Sequence, residues 1–254
     1  DVCSSDLGIT SHTGGLTVTD TGPVSVADLN EINTFTSGTT TATATSEITG
    51  SATDIATEIG LITHNGNVNF TITGVAATIA ELMTINAATI GNVVLNAETI
   101  AENYDDTAAN LAMAFDGITT STSMLTITGA GTATIAELKA INAATSGAVV
   151  LNSQTNASAY TDTAANLISA FTGITSHTGG LTVSDTGAVS AADLTNISSL
   201  TSGATTATAT SHITGSSAEI VSAIGAVNFS PNVTLTITGT SPATIAELMT
   251  INTA

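Results

Sequence analysis

The chain has 254 residues, with one basic residue (Lys139) against 20 acidic ones and a formal net charge of −19. Phosphate binding needs Lys and Arg to displace counterions, so this balance excludes nucleic acid and anionic lipid as partners, and it excludes a salt-bridge network. Aromatics are 3% with no Trp, so the core must come from Ala, Val, Ile and Leu, and a single cysteine (Cys3) excludes both a disulfide framework and a cysteine metal site.

In chain order, Asp1–Leu7 matches no later unit and reads as a non-native or linker segment, while residues 8–254 form a repeat array. Leu16–Asp20 alternates apolar and hydroxyl residues, the period-2 pattern of a strand with one buried face. Ser25, with Asp28 three residues on, opens a short helix. Thr41–Thr45 is a second type of strand, and Ser51 with Asp54 opens the next helix. Phe70–Gly74 returns to the first strand type. Thr78-Ile79-Ala80-Glu81 is then a capping box, in which hydroxyl and carboxylate satisfy each other's orphan N–H groups. Ile79, Leu82 and Ile85 follow as one narrow apolar stripe. Val93–Leu95 is a strand, and Asp106, in Asp106-Thr107-Ala108-Ala109-Asn110-Leu111, is expected to cap with its carboxylate.

The series then repeats. Leu125–Gly129 leads to the box Thr134–Glu137 with its stripe Ile135, Leu138 and Ile141, and Val149–Leu151 leads to a cap at Asp162. Leu181–Asp185 leads to Ser190 and Asp193, Thr206–Thr210 to Ser216 and Glu219, and Leu235–Gly239 to Thr244 and Glu247. The nine caps are 26, 27, 28, 28, 28, 28, 26 and 28 residues apart. The coils alternate in type, with pairs starting near residues 16, 70, 125, 181 and 235. Gly8–Val18 returns unchanged as Gly173–Val183, so three pairs make a 165-residue super-repeat. The last unit stops partway, at Thr250–Ala254, which together with the odd start reads as a fragment of a longer chain.

Self-similarity at this period means stacked supersecondary units. A strand followed by a helix, repeated, gives parallel strands with right-handed crossovers. The expected fold is therefore α/β: a right-handed solenoid of about nine strand–helix coils of roughly 27 residues each, with one long parallel sheet on one side and helices on the other. A parallel β-helix, with turns at the cap segments, is the alternative. No signal-peptide pattern and no apolar run of about 18 to 20 residues is present, so no membrane insertion is expected.

The acidity has two readings, a solvated self-repelling surface or a set of Ca²⁺ ligands. Asp20 and Asp185 end equivalent strands, with Asp28 or Asp193 nearby, and these four are the candidate metal ligands, with calcium the cofactor in question. Ordinary turn chemistry explains the same carboxylates. Glu102, Asp105 and Asp106 form a small acidic cluster, but capping already accounts for Asp106. His12, His64 and His177 fall in loops and His212 replaces Glu47 of the equivalent coil; none has a partner at ligand spacing, so they read as solvated. Asn33, Asn86, Asn142 and Asn252 recur after the stripe, as helix-end residues or as a stacked amide ladder. Asn69, Asn156, Asn196, Asn228 and Asn232 begin glycosylation sequons that a Ser/Thr-rich chain produces easily by chance. No nucleophile elbow, Walker loop or paired catalytic carboxylates appear, and no enzyme is expected.

The units Leu-Thr-Ile-Thr-Gly, Thr-Ile-Ala-Glu-Leu with Ile-Asn, and Asp-Thr-Ala-Ala-Asn-Leu resemble repeats of very large secreted bacterial surface proteins. These are adhesins and surface-layer-like proteins associated with calcium-binding RTX repeats, though the glycine-rich RTX nonapeptide itself is absent. The resemblance covers the chain from about residue 8. It implies an extracellular or cell-surface location and a structural or adhesive role. The expected function is a repeat region contributing to an extracellular filament or surface layer through end-to-end self-association. The stalk of a large adhesin is the alternative.

Overall fold

The computed structural model describes residues 12–118, 120–174 and 176–253, so Asp1–Leu7 lies outside the described residues. The chain divides into two compact units, one of residues 1–104, 110–124 and 144–147, the other of residues 105–109, 125–143 and 148–254.

The first unit opens with β1 (Leu16–Thr17), β2 (Pro23–Ser25) and α1 (Val26–Thr34). A second turn of chain holds β3 (Thr40–Ala42), β4 (Glu47–Ser51) and α2 (Ala52–Glu58), and a third holds β5 (Ile62–His64), β6 (Asn69–Thr73) and α3 (Ile79–Ala87). Next come β7 (Val93–Val94), α4 (Ala97–Ala101), β8 (Tyr104–Asp106) and α5 (Ala108–Ala114), the last two spanning the division between units. Every pairing is parallel. Leu16 pairs with Thr40 and Thr40 with Ile62, while Val24, Ile48, Phe70 and Val93 pair in succession along a second sheet. Leu29, Ile48, Ile55, Phe70, Leu82 and Ile85 are fully buried and form the core.

The second unit holds β9 (Leu125–Ile127), α6 (Ile135–Ala144), β10 (Val149–Val150), α7 (Ser153–Ala157), β11 (Tyr160–Asp162) and α8 (Ala164–Phe171). Three further turns follow: β12 (Leu181–Val183), β13 (Ala188–Ser190) and α9 (Ala191–Ser199); β14 (Thr205–Ala207), β15 (His212–Gly215) and α10 (Ser217–Ala226); and β16 (Asn228–Phe229), β17 (Thr234–Ile237) and α11 (Ile245–Thr253). β11, β12, β14 and β16 form one parallel sheet and β13, β15 and β17 another. Leu138, Leu167, Phe171, Leu181, Leu194 and Ile220 fill this core with no exposed surface.

The fold is mixed α/β with parallel pairing, as expected, and no sheet closes into a barrel. The one long sheet is corrected: the described residues form five separate parallel sheets of three or four strands. The reason lies at the caps. An N-cap residue has extended backbone, so a strand can run straight into it. Ser25, Ser51, Ser190 and Ser216 have φ between −65° and −76° and ψ between 136° and 162°. The segments before them form β2, β4, β13 and β15, giving most turns of chain two strand columns instead of one.

The carboxylate caps are also corrected. Asp162 ends β11, and α8 is capped one residue later by Thr163, whose Oγ1 accepts from the Asn166 N–H at 3.3 Å. Asp106 likewise ends β8, two residues before α5 begins. At α8 the threonine, in the better position, displaces the aspartate. Asp162 Oδ1 instead accepts from Asn166 Nδ2 and from the Thr163 N–H, both at 2.7 Å. The Asn166 bond first, then that N–H and the Lys139 ammonium, hold the carboxyl below its usual range.

Two short helices, α4 and α7, stand in segments to which the sequence analysis assigned no element. Asn96 and Asn152 cap them by accepting from Thr99 N and Thr155 N at 3.0 and 2.8 Å. The capping boxes at Thr78 and Ser216 form as expected. Among the described residues no helix is long and apolar enough to cross a membrane.

Candidate functional site

The four candidate metal ligands occupy local structural posts. Asp28 and Asp193 lie exposed in the first turns of α1 and α9, where their backbone N–H groups are capped by Ser25 and Ser190. The Asp20 carbonyl accepts from Thr45 Oγ1 at 3.2 Å, and the Asp185 carbonyl from Thr210 Oγ1 at 3.0 Å, the same contact 165 residues on. Asp185 Oδ2 accepts from the Ala164 N–H at 2.7 Å, placing a carboxylate at the positive end of α8. No group of three or more His, Cys, Asp or Glu side chains able to hold a metal occurs among the described residues.

What recurs instead is a set of ties between successive turns of chain. The first is a Thr-x-Gly corner. Thr36, Thr89, Thr145 and Thr201 each accept from the N–H of the glycine two residues on, at 2.8 or 2.9 Å. Each also donates to a backbone carbonyl of the preceding turn: Gly14, Val68, Ser123 and Gly179. The glycines are required by close approach. A Cβ on Gly91, Gly147 or Gly203 would sit 2.3–2.6 Å from backbone oxygens of that preceding turn.

The second tie joins each segment of the Asp-Thr-Ala-Ala-Asn-Leu type to the loop beneath it. In the first unit, Asn96 Nδ2 donates to the Gly74 carbonyl at 2.6 Å, Thr99 Oγ1 accepts from Ala77 N–H at 2.9 Å, and Tyr104 Oη donates to the Ala77 carbonyl at 2.9 Å. In the second unit, Asn152 Nδ2 donates to the Gly129 carbonyl at 3.1 Å, Thr155 Oγ1 accepts from Ala133 N–H at 3.0 Å, and Tyr160 Oη donates to the Ala133 carbonyl at 2.9 Å. Burial pushes both phenols up to about 12, which keeps them protonated as donors. The asparagines after the stripe do not form an amide ladder. Asn86 Nδ2 donates to the Met113 and Asp116 carbonyls at 2.9 Å, and Asn142 Nδ2 to the Ser169 carbonyl at 3.0 Å, at the far end of the next helix.

The third feature is a surface that lacks these ties. α11 repeats α3, with Ile245, Leu248, Ile251 and Asn252 in the places of Ile79, Leu82, Ile85 and Asn86. Leu82 is fully buried and Ile79 half-buried, whereas their counterparts Leu248 and Ile245 are 45% and 79% exposed. In the same way Ile72 is 2% exposed and its counterpart Ile237 is 40%. Val233, Leu235, Ile245, Leu248, Met249 and Ile251 line an open groove of about 710 Å³ between β17 and α11.

His177 corrects the expectation of solvated histidines. It is 2% exposed, with its ring 4.5 Å from that of Phe171 and 5.6 Å from that of Tyr160. Neither ring nitrogen meets a partner at hydrogen-bonding geometry, and the neighbouring Asn156 carbonyl is already engaged by the Thr178 and Gly179 N–H groups. Burial lowers the pKa of this imidazole, and the Asn156 backbone offsets only part of that. His12, its counterpart 165 residues earlier, is exposed. The native state thus binds fewer protons at this site than the unfolded chain, and stability rises with pH. The contribution is present above the unfolded histidine value of about 6.5 and is lost as pH falls from there toward the lowered folded value. We expect the protection of the α8 and β12 amides against hydrogen exchange to weaken between pH 7.5 and 5.5, and His177→Phe to flatten that dependence. An unchanged pH profile in the variant would refute this assignment.

His212 Nε2 lies 2.7 Å from Thr236 Oγ1 on the adjoining strand. Glu47, its counterpart, accepts from Thr71 in the same way, so the exchange of histidine for glutamate preserves one cross-strand contact. Comparison with protein-family models, curated proteins and solved structures returned no match to this chain.

Proposed function

We propose that this chain is a structural repeat array: a solenoid whose coils stack one on the next, forming or contributing to an extracellular filament or surface layer. One observation carries the reading. The ties recur between successive turns of chain at nearly constant offsets. Thr-x-Gly corners, parallel ladders and the asparagine–threonine–tyrosine contacts all reach 21 to 27 residues along the chain. In a structure of that kind stability is a sum of unit and neighbour terms, and length is free to vary. The side chains spent on these contacts are neutral and repeated, which suits a scaffold. The one-signed charge keeps such a scaffold soluble and away from nucleic acid.

Electron cryo-microscopy of the assembled material, with and without a calcium chelator, tests the reading. Continuous filaments with an axial repeat matching the stacked coils are the expected result, and their loss in chelator would assign a metal role to the aspartates. Isolated rods of finite length in both conditions would overturn self-assembly and favour the adhesin stalk.

A further inference from the structure

We propose that Lys139 and Asn166 are the two halves of a covalent site: an amide cross-link between their side chains, formed with loss of ammonia and assisted by Asp162, that staples α6 to α8. The contact lies within one unit of one chain, so the inference stands apart from the self-association reading.

Lys139 is the one basic side chain among 254 residues. It stands on α6, and its Nζ donates to Asn166 Oδ1 at 2.5 Å, across 27 residues of chain. Asn166 sits in the first turn of α8, where its N–H donates to Thr163 Oγ1 at 3.3 Å. Its Nδ2 donates to Asp162 Oδ1 at 2.7 Å. An amine, a carboxamide and a carboxylate thus follow one another in a single series of contacts, and all three side chains are half-buried. The orientation of the amide follows from chemistry. An ammonium has no acceptor and a carboxylate no donor, so the Asn166 carbonyl must face Lys139 and its NH₂ must face Asp162.

Amide exchange needs this arrangement. The Asn166 carbonyl carbon lies one C=O bond, about 1.2 Å, from the oxygen that Lys139 touches, so the amine and its target carbon are within about 4 Å of each other. Reacting atoms held about 3–3.5 Å apart no longer depend on a collision between separate molecules. The leaving nitrogen is already bonded to the carboxylate that can protonate it. Once the ammonium has lost a proton to solvent, the neutral Nζ attacks Cγ and a new C–N bond forms. The proton shed by the attacking nitrogen passes to Asp162 and from it to Nδ2. The Cγ–Nδ2 bond then breaks and ammonia leaves. One amide replaces another, nothing is oxidised or reduced, and Asp162 ends as the carboxylate it began.

The repeats provide an internal comparison. Met83 on α3 and Met249 on α11 hold the place of Lys139, and Asp106 and Asn110 repeat Asp162 and Asn166 after α3. The nucleophile therefore occurs at one coil only, and there the asparagine–aspartate pair of the following coil meets it. The bond would enclose β10, α7 and β11 in a covalent ring, so that tension along the chain could not part α6 from α8.

The test is made on the full chain. A protease that cuts before aspartate separates residues 116–161 from 162–184, which puts Lys139 and Asn166 on different peptides. The expected result is that the two emerge as one joined species, lighter than the pair by one ammonia, with fragmentation placing the bond between Lys139 and Asn166. Lys139→Arg keeps the charge and the donor but removes the nucleophile, and should return two separate peptides of full mass. Asp162→Ala removes the proton carrier and should slow joining by roughly tenfold or more. Circular dichroism of both variants is compared with that of the parent, and the parent's own peptides decide the matter whether or not a variant folds.

Two separate peptides of full mass from the parent overturn the proposal and leave Lys139 as a hydrogen-bond donor. Loss of ammonia that persists in Lys139→Arg would place the reaction within an asparagine and its own backbone, and would overturn it as well. Neither result touches the filament reading, which microscopy tests separately.

Discussion

Phe171→Ala is expected to cost about 3–5 kcal/mol of local stability, the range for deleting a fully buried aromatic side chain. Phe171 has no exposed surface and closes the last turn of α8. Its ring lies 5.2 Å from Tyr160 and 4.5 Å from His177, so three of the few ring-bearing side chains in the chain meet at one point. The remaining core is built mainly from Ala, Val, Ile and Leu, and these small side chains cannot swing in to fill a cavity of benzyl size. Because repeat arrays depart from all-or-none unfolding, a single melting temperature is the wrong readout. Amide exchange of α8, β11 and β12 should accelerate strongly. Val150→Ala, on a side chain already 39% exposed, should change it by less than about 0.5 kcal/mol. A loss below about 1 kcal/mol for Phe171→Ala would show that the ring cluster is not packed as described.

Gly203→Ala is expected to destabilise by about 1–3 kcal/mol, the usual cost of forcing atoms into a filled site. A Cβ there would stand 2.6 Å from the carbonyl oxygens of Thr178 and Gly179, and backbone oxygens cannot rotate out of the way as a side chain would. The same move would strain the Thr201 hydroxyl, which accepts from Gly203 N–H at 2.8 Å and donates to the Gly179 carbonyl at 2.6 Å. Gly225→Ala provides the opposite sign. It lies within α10 with open space where its Cβ would go, so alanine should stabilise by about 0.5–1 kcal/mol through helix propensity and a less free unfolded chain. Chemical denaturation of the two variants beside the parent checks both. Equal effects of the two substitutions would contradict the close coil-to-coil approach at the Thr-x-Gly corner.

The parts of this protein that the sequence determined are those governed by local chemistry. Helix starts at Ser25, Ser51, Thr78, Ser190 and Ser216 follow from a hydroxyl acceptor placed before a run of small apolar residues, and the structure has each of them as a cap. The buried stripe of Leu82 and Ile85 follows from helical spacing, and parallel pairing from strands joined through helices. The short helices α4 and α7 were legible too, through Asn96-x-x-Thr99 and Asn152-x-x-Thr155, but with only five residues each they lack the periodicity that marks longer helices. The Thr-x-Gly corner was likewise present as a pattern, at residues 36, 89, 145 and 201. Its meaning depends on a carbonyl more than 20 residues away, which spacing alone does not reveal.

Tertiary structure decided whatever depends on what lies above and below a residue. His12 and His177 sit in the same eleven-residue string, yet one is exposed and the other is enclosed by Tyr160 and Phe171 of the preceding turn. Leu82 and Leu248 occupy the same place in the same helix sequence, yet only the first is covered. Likewise, five short sheets replaced the single long one because extended backbone at the Ser25, Ser51, Ser190 and Ser216 caps lets a second column of strands form, which alternation within a single strand does not disclose. In a repeat protein the unit sequence sets the shape of each turn. The environment of a side chain is a property of the chain packed against it, and equal sequences acquire unequal burial from position alone.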